Sequence, residues 1–264
     1  MGDTLKICIA GAGGRMGQAL AEAVEGHTGL QLVAALDHPE APGVGKPVRP
    51  GAAVSVSADV EAAVGTADVL VDFTRPEASM TLLKACRARG CGMVIGTTGF
   101  TNDQLAEIET ASAEIPIVMA ANYSLGVTLL RALVTQAAKA LGEDFDIEVV
   151  EAHHRHKVDA PSGTALALGE AAAEARGAKL ADVAVTSREG HTGERAAGAI
   201  GFATVRGGDV VGDHQVLFLG DGERIELGHR ATSRATFALG ALRAAAWLRG
   251  RSPGRYDLFD VLGL

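Results

Sequence analysis

The chain has 264 residues, of which 47% are hydrophobic and 21% charged, and its formal net charge is −8. Those values exclude a disordered chain, and the acidic balance gives it no electrostatic reason to seek nucleic acid or anionic lipid. No apolar run reaches the roughly 18 residues of a membrane span and no signal-peptide pattern opens the chain, so a cytoplasmic location is expected. Cys8, Cys86 and Cys91 are odd in number and lack C-x-x-C spacing, which reads as reduced thiols. The 34 glycines are about twice the usual share and have no Gly-X-Y repeat, which points to tight turns and close approach of backbone to a ligand.

In chain order, Leu5–Ala10 is an apolar run ending at glycines, and a helical pattern over Arg15–Glu25 follows it. Leu30–Leu36, 69–73, Gly92–Ile95 and 115–119 are further runs of strand length rich in Val and Ile, and amphipathic stretches at Pro76–Arg89 and 102–113 separate the last three. Strands of continuous hydrophobicity alternating with helices predict an α/β fold with a Rossmann-like, doubly wound parallel sheet. Residues 38–51 hold four prolines and three glycines and are expected to form a surface loop. The pattern changes near residues 122–126. A long helix is expected over 126–141, a strand over 145–151 and a helix over 162–175, followed by strands at Ile200–Arg206, 210–219 and 223–229. Glycine turns at Gly207-Gly208 and Asp221-Gly222 suggest that the last three strands are antiparallel neighbours. This predicts a second, α+β domain on a mixed or antiparallel sheet. A closing helix over 233–249 could pack on either half.

Gly11, Ala12, Gly13, Gly14, Arg15, Met16 and Gly17 lie between the first strand and the first helix. Glycines there let backbone N–H groups approach a pyrophosphate at the positive end of the helix. The spacing from Gly11 is G-x-x-G-x-x-G, one residue longer than the strict fingerprint. A glycine turn serving only helix–strand packing is the competing reading. Asp37, at the end of the second strand, suits the adenosine ribose hydroxyls. His38 stands next to it, where a 2′-phosphate would lie; Asp37 repels such a phosphate and Arg15 attracts it, so NADH is expected to serve at least as well as NADPH. Three further segments leave strands on the same edge: Asp72-Phe73-Thr74-Arg75-Pro76, Gly96-Thr97-Thr98-Gly99 and Ala120-Ala121-Asn122-Tyr123.

Residues 151–164 concentrate the chemistry. His153, His154 and His156 fall together beside Arg155 and Lys157, a cationic cluster that an anionic substrate would explain. Pro161 suits the first turn of the next helix. The backbone N–H groups of Gly163 and Thr164, with the hydroxyls of Ser162 and Thr164, would then form a carboxylate cradle, to which Lys157 adds charge. A solvated basic loop and a histidine metal site compete with this reading, although no further ligand spacing supports a metal. His156 receives no role.

These residues resemble the 4-hydroxy-tetrahydrodipicolinate reductase family, formerly the dihydrodipicolinate reductases. The likeness runs from GAGGRMG (11–17) through DFTRPE (72–77), GTTGF (96–100) and EAHHRHKVDAPSGTA (151–165) to the C-terminal helix. The resemblance implies that Gly11, Ala12, Gly13, Gly14, Arg15, Met16, Asp37, His38, Gly96, Thr97, Thr98, Ala120, Ala121, Asn122 and Tyr123 bind NADH or NADPH. It implies that His153 is the general acid/base and Lys157 a second proton donor, and that His154, Lys157, Gly163 and Thr164 hold the substrate. It also implies a homotetramer joined through the second domain's sheet, and a division into residues 1–124 plus 234–264 and residues 125–233, with joints near Tyr123–Ser124 and Ser233–Arg234. The expected activity is the NAD(P)H-dependent reduction of a cyclic dicarboxylate imine in lysine and diaminopimelate biosynthesis. A catalytically silent NAD(H) sensor and a metal-dependent hydrolase are the alternatives.

Overall fold

Strand β1 (Leu5–Ala10) sorts its side chains to two sides: Ile7 and Ile9 belong to one apolar cluster, Cys8 and Ala10 to another. That alternation needs cover on both faces, and the computed structural model, which describes residues 4–233 and 235–264, supplies it. The second expected joint includes Arg234, which lies outside the described residues. The chain forms two compact units, one of residues 4–125 with 235–264 and one of residues 126–233.

In the first unit β1 leads through helix α1 (Arg15–Glu25) to β2 (Leu30–Leu36), then to a two-residue strand β3 (Val56–Ser57) and a short helix α2 (Val60–Val64). It continues as β4 (Val69–Asp72), α3 (Pro76–Arg89), β5 (Gly92–Ile95), α4 (Asn102–Ser112) and β6 (Pro116–Met119). All strands pair in parallel, and β12 (Gly254–Tyr256, near the C-terminus) adds a seventh at the edge, giving the order β12-β6-β5-β4-β1-β2-β3. One face packs Ile7, Ile9, Val71, Val94 and Val118 under α1, α8 (Ala235–Leu248) and α9 (Leu258–Leu262). The other packs Cys8, Leu70, Met93, Ile95 and Ile117 under α3 and α4. The strand order reverses at β1 and β4, the point where an open α/β sheet leaves a crevice beyond the carboxyl ends of its strands. The loop of residues 38–51 is pinned by bridges Val44–Val56 and Pro47–Ser55.

The second unit contains most of α5 (Leu125–Leu141), then β7 (Asp146–His153), α6 (Gly163–Ala175), α7 (Leu180–Val183) and β8 (Ala184–Val185). It ends with β9 (Ile200–Arg206), β10 (Gly212–Gly220) and β11 (Glu223–Ala231). The sheet order is β11-β10-β7-β9-β8, a mixed sheet. β10 and β11 form the expected antiparallel hairpin, but the expectation that β9 and β10 are neighbours is corrected. β7 lies between them, parallel to β9 and antiparallel to β10. The Gly207-Gly208 turn does not close a hairpin because its backbone bonds the end of β7 instead: Gly207 N–H donates to the His153 carbonyl, and Arg155 N–H to that of Gly208. Ile147, Val149, Phe202, Val216 and Phe218 bury against Leu130 and Val134 of α5 and Leu168 of α6.

Candidate active site

On the first unit, the residues expected to bind a dinucleotide gather at the carboxyl ends of the parallel strands. Gly11 takes a positive φ of 74° as the chain leaves β1. A Cβ on Gly17 would lie 2.2 Å from the Gly11 carbonyl oxygen and 2.6 Å from Ala12 Cα, so only glycine lets α1 start this close to the strand. α1 begins at Gly14 with no side-chain cap and no acidic residue in its first turn, unlike α2, α4, α6 and α9, where side chains cap the end. An uncapped N-terminus with exposed Gly13 and Gly14 fits a pyrophosphate, whose oxygens would take the place of a cap. Ala12 and Met16 turn inward onto the core, while Arg15 is exposed.

Asp37 closes this turn: its Oδ2 accepts the Gly13 N–H at 2.6 Å and its Oδ1 accepts the His38 N–H at 2.8 Å. Each carboxylate oxygen has a second lone pair for a ribose hydroxyl. His38 is exposed beside it. The Gly96 Cα is covered by the Phe73 ring, which any Cβ would strike at 2.2 Å. Thr98 is exposed, but Thr97 is buried and its hydroxyl donates to Asp72 Oδ2 at 3.2 Å while accepting the Thr74 N–H at 2.9 Å. Tyr123 is fully buried, its hydroxyl on the Ile95 and Val118 carbonyls and its ring edge-on to Phe73, so this side chain braces the loops rather than lining their surface. Ala120 ties the third loop to β5 through the Ile95 carbonyl, and Ala121 and Asn122 follow it at the surface side.

Asp72 received no role in the sequence analysis. It is fully buried at the end of β4 and accepts hydrogen bonds from Ser79, Thr97 and both the hydroxyl and N–H of Thr74. Burial outweighs these donors and raises its pKa. It thereby joins the 72–76 loop to the 96–99 loop.

On the second unit, β7 extends through His153, two residues past its expected end. Its burial alternates strictly, so Glu151 and His153 point to the same inner side as Ile147 and Val149. His153 Nδ1 meets Glu151 Oε2 at 2.5 Å. Arg206, the last residue of β9, grips the same carboxylate with two parallel bonds of 2.7 and 2.8 Å. Glu151 Oε1 also accepts the Ser162 N–H at 3.1 Å and the Thr204 hydroxyl at 3.3 Å. Burial pushes the Glu151 carboxyl upward, but the bonds from Arg206 and His153 prevail and lower it to about 2. An ionised carboxylate cannot donate, so Nδ1 of His153 carries the proton and Nε2 is the nitrogen left for chemistry. Nε2 faces Gly212 of β10, where a Cβ would stand 3.1 Å away.

Ser162 departs from expectation. Its hydroxyl does not face outward: it is buried, accepts the Ala165 N–H as the cap of α6 and meets His214 Nε2 at 3.0 Å. Pro161 precedes that cap and so stands outside the first turn. Gly163 is exposed at the start of α6, with Thr164 next to it. Lys157 Nζ binds Asp159 Oδ1 at 2.7 Å, and Arg206 donates to the Asp159 carbonyl at 2.7 Å, so the two cations share one loop. The His154 ring lies 6.2 Å from that of His156. His214, edge-on to His153 at 5.0 Å, was not singled out; burial and the neighbouring His153 lower its pKa to about 4, so it is neutral at pH 7. Arg206 and His214 carry no local signal, since each belongs to a strand remote in sequence from Glu151.

Family models describing the N-terminus and the C-terminus of dihydrodipicolinate reductase match residues 5–123 and 126–262. The chain belongs to the dihydrodipicolinate reductase family. Relatives named 4-hydroxy-tetrahydrodipicolinate reductase include one from Alkalilimnicola ehrlichii, 55% identical over 99% of this chain and 100% of the relative. One from Thiobacillus denitrificans is 56% identical over 99% of both. A solved structure of dipicolinate-bound dihydrodipicolinate reductase from Paenisporosarcina sp. TG-14 superimposes with a TM-score of 0.79 at 26% identity, covering 97% of this chain and 98% of that one. Membership of a reductase family disfavours the catalytically silent sensor.

Proposed function

We infer that the chain catalyses the NAD(P)H-dependent reduction of 4-hydroxy-tetrahydrodipicolinate, through dihydrodipicolinate, to tetrahydrodipicolinate in lysine and diaminopimelate biosynthesis. The observation that carries this reading is the full-length likeness, above half identity, to relatives of that name. Bound reduced nicotinamide supplies a hydride to ring C4 once water has left the hydroxylated imine. The uncapped α1 turn, Asp37 and the loops at 72–76, 96–99 and 120–123 hold the dinucleotide. Asp37 and exposed His38 favour a free ribose hydroxyl as much as a phosphate, so both NADH and NADPH serve.

The enamine left by hydride addition takes a proton at the neighbouring carbon from Nε2 of His153, with Glu151 stabilising the imidazolium before transfer. A positioned general acid contributes roughly 10²–10⁴-fold. Lys157 acts as a second donor and neutralises charge toward the ring nitrogen and carboxylate. His154, Gly163 and Thr164 hold a substrate carboxylate, and Ser162 serves that cradle by fixing the start of α6. Mixing purified protein, NADH or NADPH and freshly made cyclic imine should consume reduced nicotinamide at an enzymatic rate. No consumption with either dinucleotide would refute the assignment.

The assembly we infer is a homotetramer joined through the second sheet. Its support is the sheet face opposite the core, where Val150, Leu217 and Leu219 are half-buried and Val205 is 53% exposed. Light scattering reads the mass directly, and a monomer would refute the tetramer. No helix among the described residues is long and apolar enough to cross a membrane. Three free, buried cysteines accord with a reducing cytoplasm.

A further inference from the structure

Glu151 stands where three elements meet, and the reaction outlined above gives it only a passive share. Its carboxylate is 1% exposed and receives five hydrogen bonds. Two reach Oε2, from His153 and Arg206 Nη1; three reach Oε1, from the Ser162 N–H, the Thr204 hydroxyl and Arg206 Nη2. An ion pair kept only to neutralise Arg206 needs none of the other three donors. Each of those donors leads somewhere specific: His153 to the proton, Ser162 to the first turn of α6, Thr204 to the neighbouring strand.

We propose that Glu151 is a positioning residue that sets both the tautomer of His153 and the distance between that imidazole and the anion cradle at the start of α6. The proposal rests on the function inferred above and deepens it. Only an ionised carboxylate can accept all five of these bonds. A glutamine has the same shape, yet its NH₂ must face either His153 and Arg206 or Ser162 and Arg206, donor against donor. Arg206 holds the carboxylate in its bidentate orientation and anchors the Asp159 carbonyl beside Lys157, so the two proposed proton donors hang from one frame.

The charged and titratable groups around His153 are few. Glu151 comes from its own strand, Arg206 from β9 and neutral His214 from β10; Lys157 and Asp159 come from the following loop, and the positive end of α6 lies at Ser162. Glu151 is the anion among them that contacts the ring. Removing its charge therefore disfavours the imidazolium.

The test is Glu151→Gln in the full-length chain. With the cyclic imine, kcat is expected to fall roughly 10²-fold, within the range of a positioned acid. The fall of kcat with rising pH should begin at a lower pH than in the wild type, and dinucleotide affinity should stay the same. Wild-type kcat with an unmoved pH profile would overturn the proposal. Nitrogen-15 NMR of the wild-type imidazole tests the same geometry without turnover and without a variant that must fold: neutral His153 is expected to carry its proton on Nδ1. A predominant Nε2–H form would overturn the proposal as well. A wild-type protein inert toward the imine would instead count against the inferred reaction, leaving the NMR result to judge Glu151.

Discussion

The turn between β1 and α1 offers a ligand mainly backbone N–H groups, with one carboxylate, Asp37, bent back to steady it. The end of β7 is built the opposite way, from a buried carboxylate and two buried imidazoles, with the partly exposed Arg206 guanidinium at their edge. A backbone site is vulnerable to any added Cβ and largely indifferent to pH. A site made of buried ions is vulnerable to single-atom changes and to protons. The proposed roles thus divide into a binding half fixed by sterics and a chemical half fixed by electrostatics.

Each arm of that contrast can be broken. Gly17→Val brings two side-chain branches against the Gly11 carbonyl and Ala12 Cα, neither of which can move without shifting the strand. Loss of about 3 kcal/mol in denaturant unfolding is expected, with a weakened NADH titration. Unchanged values would mean the turn is loosely packed.

Acid should unfold the chemical half first. Burial and the neighbouring His153 push the folded His214 down to about 4, below the ordinary histidine value of 6.5, so the unfolded chain binds the extra proton between those values. Stability therefore falls as pH drops through that window, by up to about 3 kcal/mol from this group. Glu151, lowered from 4.5 to about 2, holds its contribution above 4.5 and loses it as pH falls toward 2. His214→Gln should flatten the slope between pH 6.5 and 4.5 in unfolding curves. An unaltered slope would remove His214 from the account.

A smaller effect should sharpen the binding half. His38→Arg places a permanent charge beside Asp37, and the ratio of NADPH to NADH efficiency is expected to rise roughly fivefold, matching an exposed ion contact of about 1 kcal/mol. An unchanged ratio would mean residue 38 does not face the 2′ position.

The β1–α1 turn and the parallel sheet beneath it were legible because their signals are local. Glycines at 11, 13, 14 and 17 and the apolar strands around them state both the turn and the sheet within short windows. The edge strands β3 and β12, two and three residues long, show no periodicity to read. β9 misled because Gly207-Gly208 has hairpin chemistry, while its partner, β7, lies some fifty residues earlier in the chain. The expected strand stopped at Glu151, short of His153, although the alternation continues and carries both inward on β7. Arg206 and His214 join them only through strand register, which no local pattern of charge or hydrophobicity encodes. Ser162 was read as a ligand for its hydroxyl, and folding spent that hydroxyl on a helix cap.

The most direct test of the account compares wild type and His153→Gln in one assay of reduced-nicotinamide consumption with the cyclic imine, with dinucleotide affinity measured alongside. The account predicts rapid wild-type turnover, a variant slower by roughly 10²–10⁴-fold, and equal affinity for NADH. A variant that reduces the imine as fast as the wild type would contradict it.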